Sequence, residues 1–165
     1  MINEKERAMQ SLGWQGRLLH IHIAPSARAP MEGRETARLL SGIGIEGDRY
    51  ATGLGTYSPL PDIREVTLIE TETLEALRRD HGIVLAPELH RRNLTTVGVP
   101  LNHLVGRRFR VGAVLLEGGR LNTPCRYLDM ITSLTVCDLM FHRSGLNARI
   151  LEGGDIQPGD RIQPA

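Results

Sequence analysis

A chain of 165 residues is long enough for one domain with a sizeable core and short for two. A net charge of +1 and an aromatic content of 4% argue against a nucleic-acid-binding protein, which needs a basic surface and stacking rings. No apolar run approaches the roughly 18 residues of a membrane span, and the N-terminus lacks the apolar segment of a secretory signal. We therefore expect a cytoplasmic protein without membrane or nucleic-acid partners, and the sequence leaves its oligomeric state open.

The first predicted strand follows a polar lead-in over residues 1–15 that mixes acids and bases. Alternation over residues 16–23 predicts a strand with Leu19, Ile21 and Ile23 on one face. His20 and His22 share the opposite face, a possible metal-ligand pair, but no third ligand is visible nearby and a structural role is commoner.

A glycine-rich segment follows a predicted loop at residues 26–35. Five glycines and two prolines lie between Gly42 and Pro61, too many for a regular helix or strand. Connecting loops of this length are uncommon in compact domains, so this segment is either functional or mobile.

A strand and a helix come next. Residues 64–70 predict the strand, and residues 71–81 predict a helix with Thr71 as N-cap and Gly82 as the stop.

The remaining segments predict further strands and one longer helix. Residues 106–120 predict two short strands or one bent strand, and residues 147–162 predict three strands joined by glycine turns. Between them, residues 124–143 predict a helix whose β-branched middle makes a break plausible, with Ser133 as a second cap. We predict one mainly β domain over residues 16–165, closed or nearly closed as a barrel, with two or more short helices.

Cys125 is the clearest candidate for chemistry. Thr123, Pro124 and Cys125 fit the N-cap and the first two positions of a helix, where unpaired N–H groups favour a thiolate. Arg126 adds a positive charge, and these features lower the pKa of a cysteine and make it a nucleophile or soft-metal ligand. The alternative is a small buried residue at a helix start. Cys137 has no such flanks and is expected only to pack.

Three charged clusters offer further candidates. Asp48 and Arg49 lie on a glycine-framed turn that could bind a polar ligand or form a solvated ion pair. In the segment 90–96, Arg91 and Arg92 would point in opposite directions if the chain is extended, so only one would face a site; a charged edge strand is the alternative. Residues 142–143 can serve as partners of a helix C-terminus.

Together these stretches resemble the MOSC domain, the family named for the C-terminal part of molybdenum cofactor sulfurases. The resemblance rests on "GIEGDRYA", "REVTLIETETLEAL", "RRNLTTVGVPLNHLVGRRFRVGAVLLEGGRLNTPC" and "HRSGLNARILEGGDIQPGDRI", which follow one another in this order. They cover most of the chain from Gly44 to its end. The third stretch is the most specific, because it joins an Arg-Asn pair to glycine-rich strands and a Pro-Cys pair.

The resemblance implies a barrel-like fold and a molybdenum-pterin cofactor. It implies that Cys125 ligates molybdenum or carries sulfur as a persulfide, and that arginines hold the cofactor's phosphate. Close relatives have a second cysteine three residues earlier, where this chain has Asn122, so a single-cysteine mechanism is favoured. The residues expected to bind the cofactor are Asp48, Arg49, Arg92, Asn93, Thr123, Arg126, His142 and Arg143.

Three functions remain open at this point. The first is a stand-alone MOSC enzyme, a molybdenum-dependent oxidoreductase that reduces N-hydroxylated compounds or a sulfurtransferase acting on the cofactor. The second is a non-catalytic module that carries sulfur or delivers the cofactor, and the third is a scaffold with an inert, buried Cys125. The family's association with pyridoxal phosphate belongs to a desulfurase domain for which this chain has no room, so we expect a separate protein to donate sulfur or electrons.

Overall fold

The structure, a computed structural model, describes residues 3–5 and 13–165, so most of the predicted lead-in over residues 1–15 lies outside the described residues. The α-helices between residues 13 and 165 are α1 (Arg49–Thr52), α2 (Thr71–His81) and α3 (Arg126–Thr132). The strands are β1 (Gly16–Ile23), β2 (Glu32–Arg34), β3 (Ala37–Leu40), β4 (Gly44–Ile45), β5 (Val66–Glu70), β6 (Leu94–Val97), β7 (Arg108–Val111), β8 (Val114–Leu121), β9 (Leu146–Glu152), β10 (Gly154–Ile156) and β11 (Arg161–Pro164).

Seven of these strands close into a barrel. Its order is β1-β11-β7-β8-β9-β5-β6, with β6 pairing back onto β1. β5 and β6 run parallel because the chain crosses over through α2 between them, and the other barrel pairs are antiparallel. β2 extends the sheet beyond β1, while β10, β3 and β4 form a separate small sheet. The predicted mainly β, barrel-like class is confirmed.

Apolar side chains fill the barrel. A bulge in β1 changes which of its side chains face this core, relative to the prediction. Leu18, Ile21 and Ile23 pack in the core, whereas the alternation predicts Leu19 in the first of these places. The register of β1 against β6 shifts between Leu18 and His20. Such a bulge inserts one residue and reverses the side-chain alternation beyond it.

A second apolar cluster packs the helices against the outside of the barrel. It joins α2 and α3 to β5 and to a short 3-10 helix, Asp138–Met140. The predicted helix over residues 124–143 is broken at Ser133, where its sequence makes a break plausible: α3 ends at Thr132, and Ser133 follows in a left-handed conformation with φ of 56°. Ser133 is the C-cap of α3, and the segment beyond it forms only the short 3-10 helix. The anchored α3 fixes the position of the residues just before it. The buried members of this cluster are Ile69, Leu74, Leu77, Leu85, Leu128, Val136 and Met140.

The charged segment 90–96 lies in the middle of the sheet. Its strand β6 is hydrogen-bonded to β5 on one side and β1 on the other, which rules out the edge-strand alternative. The predicted strand pair at residues 106–120 is confirmed as β7 and β8, and the C-terminal strands as β9, β10 and β11. Within the described residues no helix is long and apolar enough to cross a membrane.

Candidate functional site

A cavity of about 450 Å³ opens at one end of the barrel, beside the start of α3. Three segments that the sequence analysis singles out contribute to its wall: the glycine-rich segment from Gly42 to Pro61, residues 90–96 and the start of the Cys125 helix. The residues that line it are Arg49, Tyr50, Thr56, Tyr57, Asp62, Arg64, Thr67, Arg91, Arg92, Arg120, Asn122, Thr123, Pro124, Cys125, Tyr127, Leu128 and Asn147.

Cys125 lies on this wall, but its backbone differs from the prediction. The sequence places the helix start at Thr123; in the structure Cys125 itself is the N-cap, with φ −137° and ψ 158°, and α3 begins at Arg126. The predicted helix therefore begins two residues too early. The Cys125 side chain makes no capping hydrogen bond and is half-buried. Its sulfur is thus directed by contacts across the cavity and not by the helix backbone.

Tyr57 makes one such contact. Its Oη lies 3.4 Å from Sγ of Cys125. The hydrogen bond with Cys125, together with burial, raises the pKa of Tyr57 to about 12. The phenol is therefore protonated at neutral pH, and either the hydroxyl or a thiol at Cys125 can be the donor of this hydrogen bond.

Arg92 is buried and held by oxygen atoms on all sides. Its Nε donates to the Ser144 carbonyl at 3.1 Å and its Nη1 to the His90 carbonyl at 2.7 Å. Its Nη2 donates to Oδ1 of Asn122 at 2.7 Å and to the Ser144 hydroxyl. Burial lowers the pKa of Arg92 to about 10, and the electrostatic interaction with Cys125 acts in the opposite direction. Arg92 therefore stays cationic at neutral pH.

Gly145 allows this arrangement around Arg92. It has a φ of 103°, in the left-handed region that favours glycine. A side chain there would collide with the backbone carbonyl of Leu68 on β5. The close approach of the two backbones holds the preceding Ser144 against Arg92.

His90 supports Arg92 from behind. Its Nδ1 accepts the backbone N–H of Arg92 at 2.9 Å, so its Nε2 carries the proton and donates to Oγ1 of Thr95 at 2.8 Å. Burial and the charge of Arg92 lower the pKa of His90 well below its ordinary value. His90 is thus a neutral imidazole that fixes the chain just before β6.

Asp48 and Arg49 form a buried ion pair, so the solvated-turn alternative is wrong. Oδ1 of Asp48 accepts from Nη1 of Arg49 at 3.1 Å, and the two side chains are 1% and 6% exposed. Asp48 also caps α1 and accepts from the Asn93 amide at 3.3 Å. Asn93 in turn accepts from the Thr67 hydroxyl at 3.0 Å. Asp48 and Asn93 lie behind the cavity wall and hold Arg49 and Thr67, which line it.

Arg91 lines the cavity together with Arg92, contrary to the prediction from an extended chain. Its φ is 68°, so the alternation of side chains is broken at this residue. Nη1 donates to the Ala29 carbonyl, but the buried Nε has no hydrogen-bond partner among the described residues. Burial and the charge of Arg49 lower the pKa of Arg91. A buried donor without a partner is costly and suits a ligand that accepts hydrogen bonds.

Positive charge exceeds negative charge in this wall. Five arginines line the cavity against one carboxylate, Asp62. The hydrogen bond from Arg120 lowers the pKa of Asp62 to about 2, and Arg64 lies 3.4 Å from the same carboxylate. Within the described residues neither Arg91 nor Arg92 forms an ion pair. The cavity is therefore suited to an anion.

Besides Asp48 and Asn93, three further predicted site residues do not line the cavity: Arg126, His142 and Arg143. Arg126 is exposed and forms ion pairs with Asp129 and Asp138, not with Cys125. His142 is exposed, and Arg143 donates to the Leu139 carbonyl. Thr123 does line the cavity and is exposed. The structure thus gathers Arg49, Arg92, Thr123 and Cys125 around the cavity.

Cys137 is confirmed as a packing residue. It is 4% exposed, and burial raises the pKa of its thiol. Its backbone N–H donates to Oδ1 of Asp129 at 2.8 Å. His20 and His22 have ring centroids 6.1 Å apart, and the described residues contain no cluster of three His, Cys, Asp or Glu side chains that could hold a metal.

Sequence reasoning missed the aromatic wall. The chain has only three tyrosines, and Tyr50, Tyr57 and Tyr127 all line the cavity. Two of them belong to the glycine-rich segment, whose unusual length is the one signal that points to them.

Comparisons with known proteins identify the family and support the fold. A family model described as the MOSC domain matches residues 58–163. No curated protein sequence matches the chain significantly. Among solved structures, YuaD from Bacillus subtilis superposes with a TM-score of 0.77 at 17% identity, covering 92% of this chain and 96% of that one. YiiM from Geobacillus stearothermophilus has a TM-score of 0.71 at 13% identity, covering 91% and 75%.

A second YiiM, from Escherichia coli, has a TM-score of 0.63 at 18% identity and covers 90% of this chain and 69% of that one. At these identities the likeness concerns the fold alone. The family match spans more than half of the chain, from residue 58 in the glycine-rich segment to the last strand, β11. The chain therefore belongs to the MOSC domain family.

Proposed function

We propose that the cavity binds a molybdenum-pterin cofactor and that Cys125 is its protein ligand or carries sulfur for it. One observation supports this most directly: a half-buried thiol faces a cavity in which Arg91 and Arg92 have no carboxylate partner among residues 3–5 and 13–165. A thiolate is a ligand for soft metals, and a guanidinium is matched in shape to phosphate.

The residues present fit such a cofactor. Arg91 has a buried N–H without a partner in the part of the chain that the structure describes, and Arg92 and Arg49 add charge beside it. One thiolate is an incomplete ligand set, so a metal at Cys125 needs further donor atoms from the cofactor. The rest of the wall offers the uncharged donors Asn122 and Asn147 for polar edges of a ligand.

The residues of the chain then have separate tasks. Arg49, Arg91 and Arg92 bind the anionic group, and Cys125 binds the metal or holds a sulfur atom. Asp48, Asn93 and His90 act as positioning residues, because they bond to cavity residues without lining the cavity. When bound, molybdenum supplies two-electron redox chemistry of the kind that reduces N-hydroxylated compounds.

A sulfur carrier is the second candidate, favoured by the half-buried sulfur and the exposed Thr123 close to it. The Cys125 thiolate would attack the outer sulfur of a donor protein's persulfide. That attack forms a persulfide on Cys125 and releases the donor's thiolate.

Metal analysis of the purified protein tests the proposal. Protein produced in cells that make the cofactor should contain about one molybdenum atom per chain, measured by inductively coupled plasma mass spectrometry. Cys125→Ser should lose it, while Cys137→Ala, the matched cysteine control, should keep it. Full molybdenum content in Cys125→Ser would overturn the ligand role.

The same protein distinguishes the sulfur carrier from the molybdenum-binding form of the proposal. After incubation with cysteine and a cysteine desulfurase, intact mass should show one added sulfur atom on Cys125 if it carries sulfur. Protein with neither molybdenum nor added sulfur would contradict both forms of the proposal.

A further inference from the structure

Arg91 has an unfavourable backbone conformation for a residue with a side chain. Its φ of 68° lies in the left-handed region, where the Cβ atom crowds the backbone. Its buried Nε also has no hydrogen-bond partner among residues 3–5 and 13–165. Such a conformation persists only where the surrounding structure enforces it, and it occurs preferentially at functional sites. A specific contact is therefore needed to hold residue 91 in place.

The backbone carbonyl of Arg91 accepts a hydrogen bond from Arg49. The donor is Nη2 of Arg49, at 3.2 Å, and the two residues are 42 positions apart in the sequence. A hydrogen bond from a charged donor is stronger than one between neutral groups. Because this carbonyl belongs to the peptide group that joins Arg91 to Arg92, the bond fixes the orientation of that peptide. It therefore acts on the backbone conformation of residue 91.

Arg49 is fixed by contacts that need no ligand. Its Nη1 pairs with Oδ1 of Asp48 at 3.1 Å and donates to the sulfur of Met31 at 3.5 Å. Its backbone N–H donates to the carbonyl of Ala24, the residue that follows β1, at 2.8 Å. The guanidinium thus uses one nitrogen for its own anchorage and another for Arg91.

The left-handed conformation decides where the Arg91 side chain lies. In an extended chain, the side chains of residues 91 and 92 would point to opposite faces. With the observed backbone, both line the cavity, and Nη1 of Arg91 donates to the Ala29 carbonyl in the loop between β1 and β2. The two neighbouring arginines therefore share the cavity only while residue 91 keeps this conformation.

We propose that Arg49 is a positioning residue for Arg91: the hydrogen bond from its Nη2 holds residue 91 in the left-handed conformation and keeps the Arg91 guanidinium in the cavity wall. This goes beyond the proposed function, in which Arg49 contributes charge, because it gives Arg49 a second task that is exerted on the backbone. The consequence for a ligand rests on the proposed anion-binding cavity. The conformational part requires neither molybdenum nor Cys125.

A double-mutant cycle on the full-length protein tests the conformational part without a ligand. Arg91→Gly and Arg91→Ala both remove the guanidinium, but only glycine adopts a positive φ without strain. Urea denaturation gives the ratio of their unfolding equilibrium constants, alanine over glycine. The same ratio is then measured in the Arg49→Lys background. Arg49→Lys keeps the positive charge beside Asp48 but replaces the separate guanidinium nitrogens by a single ammonium group.

The ratio should fall about fivefold in Arg49→Lys, because residue 91 can then leave the strained conformation. The greater flexibility of glycine in the unfolded chain cancels, since the same two residues are compared in both backgrounds. Backbone chemical shifts of residue 91, measured by nuclear magnetic resonance, should move from left-handed towards extended values in Arg49→Lys. An unchanged ratio together with unchanged shifts would overturn the proposal.

Arg64→Lys is the matched control. Arg64 also lines the cavity, but its hydrogen bonds go to the Leu60 carbonyl and to Asp62. The alanine-to-glycine ratio in this background should equal that in the parent protein. An equal fall in both lysine variants would show a general loosening of the cavity and would contradict a specific role of Arg49.

A second variant covers the case in which Arg49→Lys folds poorly. The double change Asp48→Asn with Arg49→Met removes both charges of the pair, so that neither is left buried alone. It also removes the bond to the Arg91 carbonyl, and the same fall in the ratio is expected. A ratio equal to that of the parent protein would overturn the proposal here too.

Inorganic phosphate, titrated by calorimetry, tests the consequence for a ligand. Arg49→Lys should bind phosphate about tenfold more weakly than the parent protein, although the charge is kept, because the Arg91 guanidinium loses its place. Arg64→Lys should bind it as the parent does. Unchanged phosphate affinity in Arg49→Lys would refute the claim that Arg49 keeps the Arg91 guanidinium in the cavity wall.

The two proposals fail in different experiments. Parent protein without molybdenum, added sulfur or bound phosphate refutes the proposed function, and a fall of the ratio in Arg49→Lys then still supports the positioning role. Protein that loads molybdenum and binds phosphate, with the same ratio in Arg49→Lys as in the parent, refutes the positioning role alone.

Discussion

Two of the cavity arginines, Arg91 and Arg92, have different surroundings from the arginines on the outside of the barrel. On the outside, Arg38 and Arg110 lie within 3.1 Å of the carboxylates of Asp155 and Glu152. In the cavity, Arg91 and Arg92 bond to neutral oxygens and have no ion pair within the described residues. Surface pairs of this kind contribute little to stability, whereas buried unpaired cations are costly.

This difference shows that the burial of Arg91 and Arg92 lowers the stability of the folded protein. Burial lowers the pKa values of both Arg91 and Arg92, which means that the folded state holds these cations less favourably than water does. Hydrogen bonds to carbonyl, amide and hydroxyl oxygens offset part of this cost. An anionic ligand would offset the rest, so the unbalanced charge is better explained by binding than by folding.

Removing a buried carboxylate should have the largest effect. Asp48→Ala leaves Arg49 buried without its counter-charge and removes the cap of α1. We expect a loss of about 3–5 kcal/mol in the free energy of unfolding, measured with urea. The surface control Asp155→Ala breaks only the exposed pair with Arg38, and it should cost about 0–1 kcal/mol. Equal losses in the two variants would contradict the contrast between cavity and surface.

The pH dependence of stability should reveal the neutral imidazole behind Arg92. The pKa of His90 is lowered by burial in the folded state, while the unfolded chain titrates near 6.5. The unfolded state therefore binds more protons as the pH falls below about 6.5. The contribution of neutral His90 to the free energy of unfolding should be fully present above this pH. Below it, the free energy of unfolding should decline by up to about 1.4 kcal/mol per pH unit.

His22, whose pKa burial also lowers, adds to this slope in the same direction. His90→Gln keeps a donor and an acceptor and should flatten the slope of unfolding free energy against pH. Stability that stays constant from neutral pH down to the carboxylate range, near pH 4, would show that His90 is not held neutral.

The smallest expected effect is stabilisation by a simple anion. Inorganic phosphate at roughly five times its dissociation constant should raise the free energy of unfolding by about 1 kcal/mol. Thermal melting with and without phosphate measures this. Arg91→Ala should lose the effect, and Arg126→Ala, which removes an equally charged side chain outside the cavity, should keep it.

Equal stabilisation of both arginine variants would point to a general salt effect on the protein surface. Binding of an anion would then no longer explain why Arg91 and Arg92 are buried without ion pairs among the described residues.

Local patterns predict most of the strands and α2, and the position of Cys125 near a helix start. They fail where the backbone leaves regular geometry. The bulge in β1 puts Leu18 in the core where the alternation predicts Leu19. The left-handed conformation of Arg91 brings two neighbouring arginines to one cavity. Neither feature has a periodic signal, because each is imposed by pairing and packing with distant segments.

The sequence by itself determined the barrel class, the packing role of Cys137 and the position of Cys125 near a helix start, because strand alternation and turn residues act over a few neighbouring positions. Only the tertiary structure decided what surrounds that cysteine. It brings the Tyr57 hydroxyl to 3.4 Å from the sulfur and leaves Arg126 on the surface, paired with Asp138. It also brings arginines from four separate segments to the cavity wall. Barrel closure brings these groups together across tens of residues, and no local pattern encodes a contact over such a separation.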